Sequence, residues 1–277
     1  IATRPQSDEP NINGPMPEPQ HPPPPKSTSR NPIREFRAAV AFLTRAPVGG
    51  DDTAVAQTCW AFALVGACVG AIGGGVFLIG LALPLPPFVA AFIAVAAMAA
   101  LTGALHEDGL ADTVDGFGGG RGADRKLEIM RDSRIGAYGV LALILGVGLR
   151  AGAVASLAEY ALPAWIAAAA ASRAALPAIM AWLPLASATG LAATAGRPSR
   201  SGVVIGLFCA AVVAVLALGP GPGAAVCAAV GVAAIAVAAL AQRQIHGYNG
   251  DVLGAAQQIG EIAALLCVAV LFARGVL

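Results

Sequence analysis

From Trp60 to the C-terminus, apolar residues recur in runs of about the 20 residues that a helix needs to cross a bilayer. Seven runs are legible, at about 60–83, 87–105, 136–158, 162–183, 202–218, 223–241 and 255–273. Gly, Ala and Ser fill much of them, and small side chains let helix backbones approach closely in an apolar medium. The pattern predicts an all-α, polytopic integral membrane bundle with about seven transmembrane helices. Ahead of it, IREFRAAVAFLTR (33–45) sets Ile33, Phe36, Val40 and Leu43 on one helical stripe bordered by Arg34 and Arg37. That predicts a helix lying in the membrane interface. Residues 1–32, with PEPQHPPPPK, hold too little apolar surface to offset chain entropy. They are expected to be a disordered Pro-rich lead without the apolar core of a signal peptide, leaving 33–277 as a single membrane domain.

Composition agrees: 57% of residues are hydrophobic and 12% charged, with mean hydropathy +0.73. A soluble surface needs roughly twice that charge. The formal net charge of +1 gives no general attraction to nucleic acid. The five cysteines (Cys59, Cys68, Cys209, Cys227, Cys267) lie in or beside apolar runs and read as small buried hydrophobes, with no disulfide implied. All but Arg150, Arg173 and Arg274 of the 17 lysines and arginines fall on one side when seven spans are threaded in order. The connections at 83–87, 159–163 and 219–223 carry none. The positive-inside rule then predicts a multi-pass protein with the N-terminus and the basic loops cytoplasmic and the C-terminus outside. Arg150 is expected to snorkel near the outer end of its span. Arg173 is expected to face the bundle interior and meet Glu261 or a substrate phosphate.

The chemistry concentrates in TGALHEDGLADTVDGFGGGRGADRKLEIMRDSRIGAYG (102–139). Asp108, Asp112 and Asp115 stand at i, i+4 and i+7, along one face if the segment is helical. Carboxylates stacked this way repel, and a hard divalent cation removes the repulsion; a metal shared with substrate phosphates favours Mg²⁺. Glu107 is a further candidate metal ligand. The glycines of GFGGGRG allow backbone amides to approach a ligand, and Lys126, Arg131 and Arg134 can neutralise phosphate oxygens, with Asp132 orienting one of the arginines. A second polar island, QRQIHGYNGDVLGAAQQIGE (242–261), brings Asp251 to the same side, with Asn249 and Gln257 as substrate-binding candidates. His106 and His246 could each act as a general base or as a structural hydrogen-bonding group. Acids, a glycine-rich turn and arginines together suit phosphoryl transfer, which is mostly positioning and charge stabilisation.

FLTRAPV (42–48), HEDGLADTVDGFGGG (106–120) running into DRKLEIMRDSRIGAYGVLAL (124–143), and GDVLGAAQQIGE (250–261) resemble the cobalamin synthase family, the adenosylcobinamide-GDP ribazoletransferases. The resemblance spans about 36–273. It implies an integral membrane enzyme needing Mg²⁺, which joins adenosylcobinamide-GDP to α-ribazole or α-ribazole 5′-phosphate and releases GMP. On that reading Asp108, Asp112 and Asp115 hold Mg²⁺ on the diphosphate, and Asp251 completes the metal site or accepts the hydroxyl proton. Thr44 and Arg45 bind a phosphate or the corrinoid. The chain departs from the family at His246-Gly247-Tyr248-Asn249, where Gly-Gly-x-Thr is usual, and at Glu107. A CDP-alcohol phosphotransferase-like lipid synthase shares the reaction type, but Asp112 stands where its motif has Arg. A prenyltransferase is a further rival, and a divalent-cation transporter would want carboxylates midway across several spans. Whether the chain forms a homo-oligomer is left open.

Overall fold

The structure is a computed structural model that describes residues 31–48 and 53–277; the expected Pro-rich lead lies outside them except for Asn31 and Pro32. Those two begin α1 (Pro32–Leu43). Asn31 Oδ1 accepts the amides of Ile33 at 3.1 Å and Arg34 at 3.3 Å, and Pro32 loses nothing at a position whose amide has no helical partner. The helix expected at 33–45 therefore forms, and Leu43 is buried.

Apart from one isolated bridge between Leu185 and Tyr248, every regular element among the described residues is helical. After α1 come α2 (Val55–Thr58), α3 (Phe62–Ala82), α4 (Pro87–Thr102), α5 (Leu105–Gly119) and α6 (Ala123–Met130). They are followed by α7 (Ala137–Ala155), α8 (Ala161–Trp182), α9 (Leu191–Ala195), α10 (Arg200–Leu218), α11 (Pro220–Ile245) and α12 (Gly250–Ala273). Six helical segments are long and apolar enough to cross a membrane: Val55–Ala82, Ala137–Ala155, Ala158–Trp182, Arg200–Leu218, Pro220–Ile245 and Gly250–Ala273. Large apolar side chains such as Ile144, Phe208, Leu216 and Ile235 point outward from them, as a surface bathed in lipid requires.

The expected second span is where sequence and structure part. α4 stops at Thr102 and meets α5 at a bend of 94°, so seven spans are reached only by counting the bent pair as one. Gly103 (φ +66°) and Ala104 (φ +54°) form the corner in left-handed backbone. Glycine adopts that conformation without strain, and it ends α4 there. We read α5 as a polar helix outside the spans, carried back along the bundle by the corner.

α8 is the axis. It is enclosed by α3, α10, α11 and α12, and nearly every residue from Ala164 to Met180 is buried. Gly66, Gly70 and Gly74 of α3 lie one turn apart on the face that meets Ala169, Trp165 and Leu162 of α8. A methyl group at any of them would strike α8 backbone or side chain, so the glycines set the separation of the two helices. The C-terminal end of α8 and the N-terminal end of α12 are tied by Tyr248 N donating to Pro184 O (2.9 Å) and Ala186 N donating to Tyr248 O (2.8 Å).

Candidate active site

α5 and α12 cross at two facing glycines. A Cβ on Gly109 would lie 2.8 Å from the Asp251 carbonyl oxygen, and one on Gly254 would lie 3.0 Å from the Gly109 Cα. Only hydrogen at both positions permits this approach, which carries Asp108 and Asp112 on α5 up to Asp251 in the first turn of α12. Asn249 fixes that turn: its Oδ1 caps the helix by accepting Val252 N (3.0 Å), and its Nδ2 donates to Asp251 Oδ2 (2.8 Å). Asp108 is exposed and Asp112 half-buried, and neither side chain has a hydrogen bond or ion pair among the described residues. Burial, reinforced by the like charges of Asp108, Asp251 and Asp115, pushes the Asp112 carboxyl up to about 7.

Asp115, third in the expected row, is spent on structure. Its Oδ2 accepts Gly136 N (2.7 Å) and its Oδ1 accepts Gly139 N (2.9 Å), so it caps the start of α7, where free amides and the helix dipole favour an anion. Gly136 and Gly139 are required because a Cβ on either would collide with that carboxylate.

Two cavities meet at this seam. One, about 430 Å³, is walled by apolar residues of α1, α3, α8 and α9, with His106, Asp108, Arg131, Asn249 and Asp251 on its polar side. The other, about 390 Å³, is a polar cleft lined by Glu107, Asp108, Asp112, Arg131, Asp132 and Ser133. Asp108 and Arg131 belong to both. Arg131 Nη2 is steadied by donating to Ser187 Oγ (2.6 Å). Ser187, Thr189 and Gly190 also line the apolar cavity. The sequence reading missed this short loop, whose only signal is a few polar residues between apolar runs. Nor did it mark Phe42, Phe62, Leu176 or Met180, which read as ordinary bundle residues until the fold opens a space between them.

The remaining predicted residues divide by location. Asp132 does orient Arg134, accepting from its Nε at 3.0 Å and its Nη2 at 2.7 Å. That bond holds the Asp132 carboxyl down at about 2. Lys126 donates to Gln244 Oε1, joining α6 to α11, and lines neither cavity. Thr44 Oγ1 donates to Val40 O (2.7 Å). Arg45 N donates to Leu101 O (2.7 Å) while the side chain packs on Gly103, so this pair braces the α4–α5 corner. His246, at the left-handed end of α11, is exposed and lines neither cavity.

Arg173 and Gln257 lie deeper, in a buried network. Glu261 accepts from Arg173 Nη1 (3.3 Å), Gln257 Nε2 (2.7 Å) and Trp165 Nε1 (3.3 Å), and Arg150 Nη1 lies 3.6 Å from it. Glu107 Oε1 accepts from Arg150 Nη2 (3.1 Å) and Gln258 Nε2 (3.2 Å). Arg150 therefore does not snorkel outward: it is 2% exposed, because two interior carboxylates offset its charge. Arg173 meets Glu261, one of its two expected partners, and lines neither cavity. Glu107 reaches the cleft, but its Oε1 belongs to this network rather than to the aspartate row.

The donor set fits a hard divalent cation. Asp108, Asp112 and Asp251 are oxygen donors that form no ion pair among the described residues, although the Arg131 charge acts on Asp251, and their mutual repulsion is what such an ion relieves. As the side chains stand, no three His, Cys, Asp or Glu groups converge closely enough to hold one among the described residues.

Comparison with known proteins gives a consistent picture. The cobalamin-5-phosphate synthase family matches residues 35–269. An adenosylcobinamide-GDP ribazoletransferase of Bradyrhizobium diazoefficiens is 48% identical over 248 residues, covering 87% of this chain and 95% of that protein. Proteins of the same name from Brucella canis and Brucella suis are each 41% identical over 244 residues, 82% of this chain and 93% of theirs. No solved structure matches the chain.

Proposed function

The chain belongs to the cobalamin-5-phosphate synthase family, and from that premise we propose that it joins adenosylcobinamide-GDP to α-ribazole, or to α-ribazole 5′-phosphate, with release of GMP. The carrying observation is the seam itself: three clustered carboxylates and one arginine stand where an apolar cavity opens on a polar cleft. One substrate of such a reaction is a nucleoside with an apolar base; the other is a large, polar diphosphate ester. A site that must receive both needs this division.

In the reaction a ribazole hydroxyl attacks the phosphorus attached to cobinamide, the bond from that phosphorus to the GMP oxygen breaks, and the hydroxyl proton leaves. Asp251, held by Asn249 at the edge of the apolar cavity, accepts that proton. Arg131, shared by both cavities, balances charge on the transferred phosphoryl group. Asp108 and Asp112 would hold Mg²⁺. The ion supplies charge stabilisation for the departing phosphate. Asp115 and Glu107 serve the scaffold in this scheme, and Arg134 with Asp132 forms the exposed rim.

The reading is tested with purified, detergent-solubilised protein given adenosylcobinamide-GDP, α-ribazole and Mg²⁺. GMP and cobalamin should appear in equal amounts, and EDTA should stop both. Folded protein that yields neither overturns the reading and favours a lipid synthase of the CDP-alcohol type.

The basic loops lie at the end of the bundle that carries the seam, which supports a plasma-membrane protein with its active site facing the cytoplasm. A cysteine replacing Arg121 should resist an impermeant maleimide in intact spheroplasts and react in inverted vesicles. The opposite pattern would reverse the orientation.

A further inference from the structure

The phosphoryl chemistry uses only the rim of the apolar cavity, so what fills its depth is a separate question. Phe42, Leu43, Phe62, Leu176, Met180 and Ala195 form its walls, and polar groups gather on the side that faces the seam. His106 is among the lining residues and is 2% exposed, yet its Nδ1 has no hydrogen-bond partner among the described residues. An unpaired buried polar atom costs about 1–3 kcal/mol, and such an atom in a cavity wall is accounted for when a ligand atom completes it. A ligand that answers both has an apolar body carrying a hydrogen-bonding atom, joined to a hydroxyl-bearing group that reaches Asp251.

A corrinoid does not answer that description. It is a wide macrocycle fringed with amides, which the apolar walls of this cavity would leave without partners, whereas the polar lining of the cleft can meet them. A lipid chain would fill the apolar walls but leave His106 unanswered.

We propose, resting on the transferase reading above, that this cavity is the base-recognition subsite: it takes the benzimidazole ring of the incoming nucleoside, pairs its free ring nitrogen with His106, and delivers the ribose hydroxyl to Asp251. The shape of the cavity then sets which bases the enzyme accepts, and Met180 and Ala195 are specificity-determining residues.

Two variants of the full chain in detergent test this, with steady-state kinetics and equilibrium dialysis of radiolabelled α-ribazole as readouts. Ala195→Phe narrows the cavity and should raise both KM and dialysis Kd for α-ribazole about tenfold, with an imidazole riboside affected less. Met180→Ala widens it and should raise kcat/KM for a tricyclic naphthimidazole riboside about tenfold relative to α-ribazole. KM for adenosylcobinamide-GDP should be unchanged in both. Should Ala195→Phe fail to fold, the gain in Met180→Ala decides alone.

Unaltered base preference in an active variant overturns the inference, as does a rise confined to the corrinoid KM. The two readings fail separately. Wild-type protein that binds α-ribazole in the dialysis cell but transfers nothing sinks the proposed reaction and keeps the subsite. Transfer that is indifferent to cavity size sinks the subsite alone. Protein that neither binds nor transfers sinks both.

Discussion

Asp112→Ala is expected to lower kcat for transfer by roughly 10²–10³-fold or more while leaving the bundle folded. Catalysis and stability separate here because the Asp112 side chain has no hydrogen bond or ion pair to lose among the described residues. Its removal even relieves repulsion with Asp108, Asp251 and Asp115, which, after burial, raises its own carboxyl. Asp115→Ala provides the contrast. It strips the cap from α7 by releasing Gly136 N and Gly139 N, and should cost about 1–2 kcal/mol of stability. Thermal unfolding in detergent, run beside the transfer assay, distinguishes the two. Asp112→Asn should also shift the Mg²⁺ dependence of any residual rate to higher concentration. Full activity in folded Asp112→Ala protein would remove this carboxylate from the mechanism and leave Asp108 with Asp251.

Glu261→Ala should be the most damaging single change to the fold. Glu261 lies against both Arg150 and Arg173, and all three side chains are at most 2% exposed. Without it Arg173 loses its carboxylate partner and Arg150 keeps only Glu107, at a depth where an uncompensated charge is costly. Breaking a buried pair in this way costs about 3–5 kcal/mol, enough to lose most folded protein. The converse follows from the same physics. Replacing Arg150, Arg173, Glu107 and Glu261 together with Met or Gln removes the charges as a set and should recover much of the loss. Protein yield and unfolding temperature in detergent measure both. An unchanged Glu261→Ala variant would mean that water reaches this network.

The network also shows where reading a sequence stops. Arg150 and Arg173 were visible as charges inside apolar runs, and the cost of a charge in lipid placed Arg173 toward the interior. Glu261, 88 positions on, was named among the expected partners of Arg173, but the 43 positions that separate Arg150 from Glu107 are closed by helix packing, about which no local pattern speaks. The α4–α5 corner has the same origin. LTGALHED runs on from an apolar stretch as though the helix continued, and the bend is braced by Arg45, which reaches across from the end of α1 to Leu101 and Gly103.

What the sequence alone determined was most of the helices long and apolar enough to cross a bilayer, the helix α1, and the aspartate row at helical spacing. Each is a local regularity, set by a transfer free energy or by the pitch of a helix, and so is written in consecutive residues. Only the tertiary structure decided that Asp115 caps α7 while Asp251 joins Asp108 and Asp112, that Glu107 and Arg150 face inward, and that Phe42, Leu176 and Met180 enclose a cavity. Those assignments follow from which helix faces meet, and at Gly109 and Gly254 the meeting rests on the absence of two methyl groups. Contact between distant segments is a property of the packed bundle as a whole, because burial and charge balance are settled by all neighbours at once.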